Sequence, residues 1–167
     1  TGGNQTIAGA SDNISNFANL IINNNFSNGA VSLLANSNLR INNALTLSKG
    51  VFEDGGNTIT AIGSVYNAAT HTSTGAGQII LGGTGTQVLA GNGNGKFGNL
   101  TINNASGAQL SADQEITGTL TFTNGPLRIR NYHLNLSNTN LSAIVGANAS
   151  QYIITSGQNS DAGVTKA

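Results

Sequence analysis

The 167-residue chain contains no cysteine, methionine or tryptophan and only one proline. Without cysteine it has no disulfide, no thiolate metal site and no cysteine nucleophile. Charged residues make up 7% of the chain and the formal net charge is zero, so there is no basic surface for nucleic acid or for an anionic membrane. No apolar run approaches the roughly 18 residues of a membrane-spanning helix. From these absences we expect no nucleic-acid partner and no membrane-spanning helix.

The composition still allows a folded domain. Apolar residues account for 38% of the chain, which is low for a compact globule but well above the level of a disordered tract. The length allows one domain or two small ones. Because the chain starts at Thr1 and contains no methionine, we expect it to be a processed or excised segment that opens inside a repeat.

An internal repeat runs through the sequence. The phrase FGNLTINN at residues 97–104 closely matches FANLIINN at residues 17–24, and EITGTLTFTNG at 115–125 matches RINNALTLSKG at 40–50. The offset between the copies falls from 80 to 75 residues, so residues are lost between the phrases, where turns are expected. We therefore predict two repeat units, residues 1–77 and residues 78–167, in one continuous structure. The less regular stretch at residues 62–76 is predicted to be a loop or an extra coil.

Short segments in which apolar and polar residues alternate are typical of strands with one buried face. These segments are LTL at residues 45–47, LTI at 100–102, LTF at 120–122, LRI at 127–129 and LNL at 134–136. Pairs between the segments, such as Asn28-Gly29, Gly55-Gly56 and Asn124-Gly125, favour turns. We predict a buried stripe of ten residues: Leu20, Ile22, Leu45, Leu47, Leu100, Ile102, Leu120, Phe122, Leu134 and Leu136.

The fold is therefore predicted to be all-β, and two arrangements fit the pattern. Three strands with centres about 6 to 11 residues apart would form a coil of roughly 20 to 25 residues, the scale of a β-helix. Asparagine pairs at residues 23–24, 42–43 and 103–104 each follow an isoleucine expected to point inward, and stacked coils would align their amides into ladders. Both features favour a parallel β-solenoid, right-handed by the crossover rule. Antiparallel β-sandwich repeats are the alternative.

The order of phrases in the second unit resembles the repeats of large secreted surface proteins and adhesins of the Bacteroidota type. The resemblance lies in GQIILGGTGTQVLAGNGNGKFGNLTINN, then EITGTLTFTNGPLRIRNYHLNLS, then SQYIITSGQNSDAGVTKA, and it extends more loosely to the first unit. It implies a parallel β-helical repeat within a much longer exported or cell-surface polypeptide. It carries no catalytic residues across to this chain.

The titratable residues do not form a recognisable catalytic pattern. We expect the six carboxylates to be solvated turn residues: Asp12, Glu53, Asp54, Asp113, Glu115 and Asp161. The pairs Glu53-Asp54 and Asp113/Glu115 are the places where Ca²⁺ would bind weakly through oxygen ligands, and no other cofactor is expected. His71 and His133 lie far apart in sequence without an acidic neighbour, so we expect surface or hydrogen-bonded histidines.

One surface pattern rises above the background of the composition. If Leu120 and Phe122 point inward, the four threonines around them form an outward row that is able to bind ice or a polysaccharide: Thr117, Thr119, Thr121 and Thr123. The competing interpretation is that threonine simply suits an uncharged sheet. The matching row of the first unit, at residues 42, 44, 46 and 48, keeps a single threonine.

These observations lead to the hypothesis of a non-enzymatic structural and adhesive segment of a secreted or cell-surface protein, acting as an extended stalk or display module. Expected partners are other repeats of the same polypeptide, surface glycans, or further copies bound end to end through exposed strand edges. The alternatives are an ice- or polysaccharide-binding solenoid, a self-assembling fibre subunit, and a polysaccharide-degrading β-helix, which would need clustered carboxylates.

Overall fold

The computed structural model describes residues 3–9, 14–26, 29–156 and 162–167, and these residues form twenty β-strands and no helix. The strands pair in parallel and stack into a β-solenoid of about seven turns. The predicted parallel solenoid is thus confirmed, and the sandwich alternative is wrong. In the part of the chain described here, no helix has the length and hydrophobicity needed to cross a membrane.

Each turn of the solenoid crosses three faces, each of which is a ladder of strands from successive coils. Face 1 contains β1 (Gln5–Ile7), β3 (Ala30–Leu33), β5 (Val51–Glu53), β8 (Thr70–Thr72), β11 (Gly95–Phe97), β14 (Gln114–Ile116), β17 (Leu134–Leu136) and β20 (Val164–Lys166). Face 2 contains the first parts of β2 (Ser15–Asn23) and β4 (Leu39–Lys49), then β6 (Thr58–Ala61), β9 (Gln78–Leu81), β12 (Leu100–Asn103), β15 (Leu120–Asn124) and β18 (Ile144–Val145). Face 3 contains the later parts of β2 and β4, then β7 (Val65–Asn67), β10 (Gln87–Gly91), β13 (Ala108–Leu110), β16 (Leu127–Arg130) and β19 (Ile153–Thr155).

The coils vary in length because the corners between faces vary. β4 turns a corner within one strand, since its residues 39–41 pair with β6 and its residues 45–47 pair with β7. Equivalent residues of successive coils are 19 apart between Phe52 and His71 and 30 apart between Leu134 and Val164. The ladder continues without a break across the predicted boundary between the units, where Thr58 pairs with Gln78.

The core is a continuous apolar column inside the three faces, and its register confirms most of the predicted stripe. Nine of the ten predicted residues are buried: Ile22, Leu45, Leu47, Leu100, Ile102, Leu120, Phe122, Leu134 and Leu136. Leu20 of β2 is only partly buried, whereas Ile22 of the same strand, which also pairs with β4 alone, is buried. Alternation thus selects the inward side of each strand, and stacking then determines how completely each residue is covered.

Two sequence-based expectations are corrected by the register. Residues 62–76 are neither a loop nor an extra coil, since they form β7 and β8 in regular positions on faces 3 and 1. The asparagine pairs do not form a ladder. The pair at residues 23–24 follows face 3, whereas the pairs at 42–43 and 103–104 both follow face 2 but are separated by two coils that carry Ile62-Gly63 and Gly82-Gly83 at that position. Amides align into ladders only when they occupy the same position in successive coils.

The corners are instead closed by single buried asparagines that bond to backbone. Asn104 accepts a hydrogen bond at Oδ1 from the Ser106 N–H at 2.9 Å and donates from Nδ2 to the Gly85 carbonyl of the preceding coil at 2.7 Å. At the same corner, Gly125 allows the backbones of two coils to approach closely. Its φ is 76°, and a Cβ there would lie 1.9 Å from the Asn104 carbonyl oxygen. Side-chain amides therefore satisfy backbone groups where the ladders are interrupted.

Candidate functional site

The four threonines of the predicted row do not form one exposed strand row. Leu120 and Phe122 do point inward, as expected. However, only Thr121 and Thr123 belong to β15, whereas Thr117 lies at the corner before it and donates its hydroxyl to the Phe97 carbonyl at 3.0 Å. The Thr123 hydroxyl likewise donates to the Ile102 carbonyl at 3.1 Å, and the Thr119 N–H donates to Asn99 Oδ1. Two of the four hydroxyls therefore bond to the preceding coil.

Threonine also fails to repeat without interruption across the coils of face 2. The outward position of Thr121 is occupied in the other coils by Asn16, Arg40, Thr60, Ile80, Thr101 and Val145. Aliphatic side chains therefore interrupt this column at Ile80 and Val145, so the face lacks a regular two-dimensional lattice of hydroxyl groups.

Face 1 carries a second candidate, a polar depression of about 340 Å³ that we call the face 1 patch and that is lined mainly by Lys96, Asp113, Glu115, His133 and Asn135. The parallel ladder aligns Lys96, Glu115 and Asn135 in one outward column. Lys96 Nζ lies 2.9 Å from Glu115 Oε2, and the backbone N–H of His133 donates to Asp113 Oδ1 at 2.8 Å. The site therefore arises from stacking, because Asp113 and Glu115 lie in one coil while Lys96 and His133 lie in the coils on either side.

The electrostatics of this patch favour a stable ion pair. The Ser137 hydroxyl, followed by Lys96, holds the pKa of Glu115 below its usual value of 4.5, and partial desolvation opposes them. The hydroxyl donates to Oε1 at 2.6 Å while Lys96 occupies Oε2. Glu115 is therefore ionised at neutral pH and has no proton to donate as a general acid.

The interior of the solenoid contains an acidic and a basic side chain that the sequence analysis missed. Asp54 and His71 are both completely buried, and His71 Nε2 lies 3.2 Å from Asp54 Oδ2. The alignment of these two atoms is poor for a hydrogen bond. Asp54 Oδ1 accepts hydrogen bonds from the backbone N–H groups of Gly56 at 2.9 Å and Thr74 at 3.1 Å. The expectation that Asp54 is a solvated turn acid is therefore wrong.

Hydrogen bonding assigns the protonation of the pair. His71 Nδ1 accepts a hydrogen bond from the Gly98 N–H at 3.2 Å, so the proton of a neutral ring lies on Nε2, facing Asp54. Burial alone would raise the pKa of Asp54, but the adjacent His71 ring and hydrogen bonds from Ser73, Gly56 and Thr74 together lower it below its usual value of 3.8. Asp54 is thus an ionised, buried carboxylate surrounded by donors.

The geometry of Asp54 and His71 suits a stabilising role in the core and does not suit catalysis on a substrate. A Ser-His-Asp triad needs the second imidazole nitrogen on a nucleophile, whereas that nitrogen of His71 accepts a backbone N–H. Neither side chain is accessible to solvent. In the described residues no group of three histidine or acidic side chains is placed to hold a metal ion.

The remaining candidates occupy simpler surroundings. Glu53 is exposed and accepts a hydrogen bond from the Ser32 hydroxyl, and His133 is partly exposed with Nε2 2.8 Å from Thr165 Oγ1. Asp12, Asp161 and Asn28 lie outside the described residues. Alternation from Phe52 places Asp54, two positions further on and immediately after β5, on the inward side, and this is the signal by which the buried carboxylate was detectable.

Comparison of the chain with protein-family models, with curated proteins and with solved structures finds no match in any of the three.

Proposed function

We propose that the chain is a non-enzymatic structural and adhesive segment of a secreted or cell-surface protein, in which it acts as an extended stalk or display module. The observation that carries this proposal is the unbroken stack of three parallel ladders, which turns chain length into axial length. The resemblance of the phrases to Bacteroidota-type surface repeats supports the same role.

The dimensions of the solenoid suit a strut. Each coil adds one inter-strand spacing, roughly 4.8 Å, so about seven coils extend the chain by about 34 Å along the axis. The chain has few charges, and its corners are closed by hydrogen bonds. The outer faces of the solenoid are therefore available to display other groups. The proposed partners are further repeats of the same polypeptide and surface glycans.

A self-assembling fibre subunit is the second candidate, and it is favoured by the first coil. There Ile7, Phe17 and Leu20 are only partly buried, and β1 pairs on one side only among the described strands. Open strand edges beside an apolar interior bind further strands. Copies would then stack end to end.

Small-angle scattering on proteins with one, two and four tandem copies of the chain tests these roles. A strut predicts a maximum dimension that grows by about 34 Å per copy at every protein concentration. Compact globules joined by variable links would contradict it, and growth with concentration in the single copy would favour the fibre subunit. Antibody labelling of intact cells provides the test of location, because labelling seen only after lysis would contradict surface display.

A further inference from the structure

The outward side of face 1 carries an unbroken column of polar side chains. Parallel pairing aligns Thr70, Lys96, Glu115, Asn135 and Thr165 from successive coils, and we call these residues the polar column. The column extends over four inter-strand spacings, roughly 19 Å along the axis. The outward columns of faces 2 and 3 both contain aliphatic side chains. Face 1 therefore carries the continuous hydrophilic stripe of the solenoid.

The face 1 patch lies in the middle of this column. Lys96, Glu115 and Asn135 belong to both, and the lining of the patch consists of glycine and polar residues. It offers none of the large aromatic anchors on which the binding energy of protein interfaces concentrates. It also lacks the apolar wall that covers most of the surface of a hydrophobic ligand. The patch is therefore suited to a ligand that binds mainly through hydrogen bonds.

Several hydrogen-bonding groups of the patch are not engaged by the described part of the chain. Asn94 is exposed and Asn135 is partly exposed, and neither side-chain amide has a hydrogen-bond partner among the described residues. Asp113 Oδ1 accepts the His133 N–H, which leaves Oδ2 available. Lys96 Nζ directs one of its three N–H groups to Glu115. Because an amide has both donors and an acceptor, the patch presents the two kinds of group side by side.

The charges of the patch disfavour an anionic ligand. Asp113 and Glu115 together outnumber the single ammonium group of Lys96, so the local field is negative. In the described residues, no group of three histidine or acidic side chains is placed to hold a metal ion. Sugar hydroxyls are neutral, and each one both donates and accepts a hydrogen bond, which matches the mixture of groups in the patch. A neutral carbohydrate is therefore the class of ligand that this chemistry favours.

The spacing of the column suits a polymer of sugars. Successive coils are roughly 4.8 Å apart, close to the length that one ring adds to an extended glycan chain. Lys96, Glu115 and Asn135 belong to successive coils, so about two or three consecutive rings would lie against them. We propose that the face 1 patch binds a neutral glycan whose chain lies along the polar column. This inference rests on the proposed adhesive role, to which it adds the site and the ligand class.

The experiment uses isothermal titration calorimetry to measure binding of the whole chain to three neutral glycans: mannan, xylan and dextran. Two further polymers are titrated, a polyuronate and polyvinyl alcohol, which has hydroxyls but no sugar rings. We expect at least one neutral glycan to bind more tightly than either of these two. The variant Asn94→Ala/Asn135→Ala removes two free amides from the patch and should weaken this binding at least about tenfold, the effect of one or two lost hydrogen bonds. Asp113→Asn keeps an acceptor for the His133 N–H and should strengthen binding of the polyuronate.

The matched control Asn103→Ala/Asn124→Ala removes two exposed amides from paired positions of adjacent coils on face 2. It should weaken glycan binding less than about threefold. An equal loss in this control would overturn the proposal. Equal or tighter binding of the polyuronate or of polyvinyl alcohol would also overturn it, as would the absence of binding to all three glycans.

The free sugar of the glycan that binds tests the alignment with the column. A single ring contacts fewer coils and should bind at least about tenfold more weakly than the polymer, so equal affinity would contradict a chain lying along the polar column. A chain that extends as a strut yet binds no glycan would refute this inference and leave the stalk role intact, whereas glycan binding by compact tandem copies would do the reverse. Circular dichroism of each variant confirms folding, and Asn135→Ala alone provides the measurement if the double variant fails to fold.

Discussion

The buried pair of Asp54 and His71 gives the sharpest prediction of the structure. Asp54→Ala removes the acceptor of two backbone N–H groups and leaves the His71 Nε2 proton facing an empty, dry space. Each buried N–H group left without an acceptor costs about 1 to 3 kcal/mol, so we expect a loss of roughly 3 to 5 kcal/mol of unfolding free energy. Asp54→Asn keeps one acceptor but turns an N–H group towards Nε2 or towards the backbone donors, so we expect a smaller loss of about 1 to 3 kcal/mol. The neighbouring Glu53→Gln changes an exposed carboxylate and should stay within about 0.5 kcal/mol.

The assay is equilibrium unfolding in urea, followed by far-ultraviolet circular dichroism, at pH 7 and at steps towards pH 2. Because the pKa of Asp54 is lower in the folded chain than its ordinary 3.8, its ionisation stabilises the fold fully above that value and this contribution disappears as the pH falls through the folded pKa. The difference between wild type and Asp54→Asn should therefore shrink on acidification. Other carboxylates titrate alike in both proteins and cancel. A difference that stays constant or grows would refute an ionised Asp54, and an Asp54→Ala as stable as Glu53→Gln would refute the buried pair.

Two further substitutions test the register and the corners. Ile102 is fully buried on face 2, so the variant Ile102→Asp should lower the free energy of unfolding by at least about 3 kcal/mol. The control Asn103→Asp adds the same charge to the exposed neighbouring residue and should change stability little. Similar melting temperatures for the two variants would show that the register is wrong. Asn104→Ala should lower the free energy of unfolding by about 2 to 3 kcal/mol, because it removes the hydrogen bonds to Gly85 and Ser106. The control Asn103→Ala should change the free energy of unfolding by no more than about 0.5 kcal/mol. Equal urea midpoints for the two variants would refute the structural role of the buried Asn104 amide.

Local pattern predicted the strands well because burial in a solenoid follows alternation. Residues such as Leu45, Leu120 and Leu134 each lie at the inward positions of short alternating segments, and the structure buries all three. Leu20 satisfies the same rule and is less covered than Ile22 of the same strand, so direction alone does not give the degree of burial. Alternation therefore predicts direction, whereas stacking determines burial.

The interior pair was not predictable because it depends on the register between coils. Asp54 and His71 face each other only because Phe52 stacks on His71, 19 residues further along the chain. Other coils are up to 30 residues long, so no fixed period in the sequence brings these two side chains together.

The repeated phrase that marks the sequence repeats a corner rather than a coil position. In FANLIINN, Leu20 lies on face 3, whereas its counterpart Leu100 in FGNLTINN lies on face 2. The final asparagines nevertheless do the same thing: Asn24 accepts from the Phe26 N–H and donates to the Gly3 carbonyl, as Asn104 accepts from the Ser106 N–H and donates to the Gly85 carbonyl.

A strand followed by a buried asparagine thus closes whichever corner it reaches, since every corner presents backbone groups of an adjacent coil that need partners. The three faces are alike in chemistry, with apolar residues inside and uncharged polar residues mostly outside, so a phrase displaced by one face still folds. The sequence repeat therefore follows the succession of strands and corners and does not correspond to whole turns of the solenoid. The two copies of the phrase differ in their outward residues but keep the hydrogen bond from the asparagine to the adjacent coil. The conserved part of the phrase is therefore the part that stacks one coil on the next.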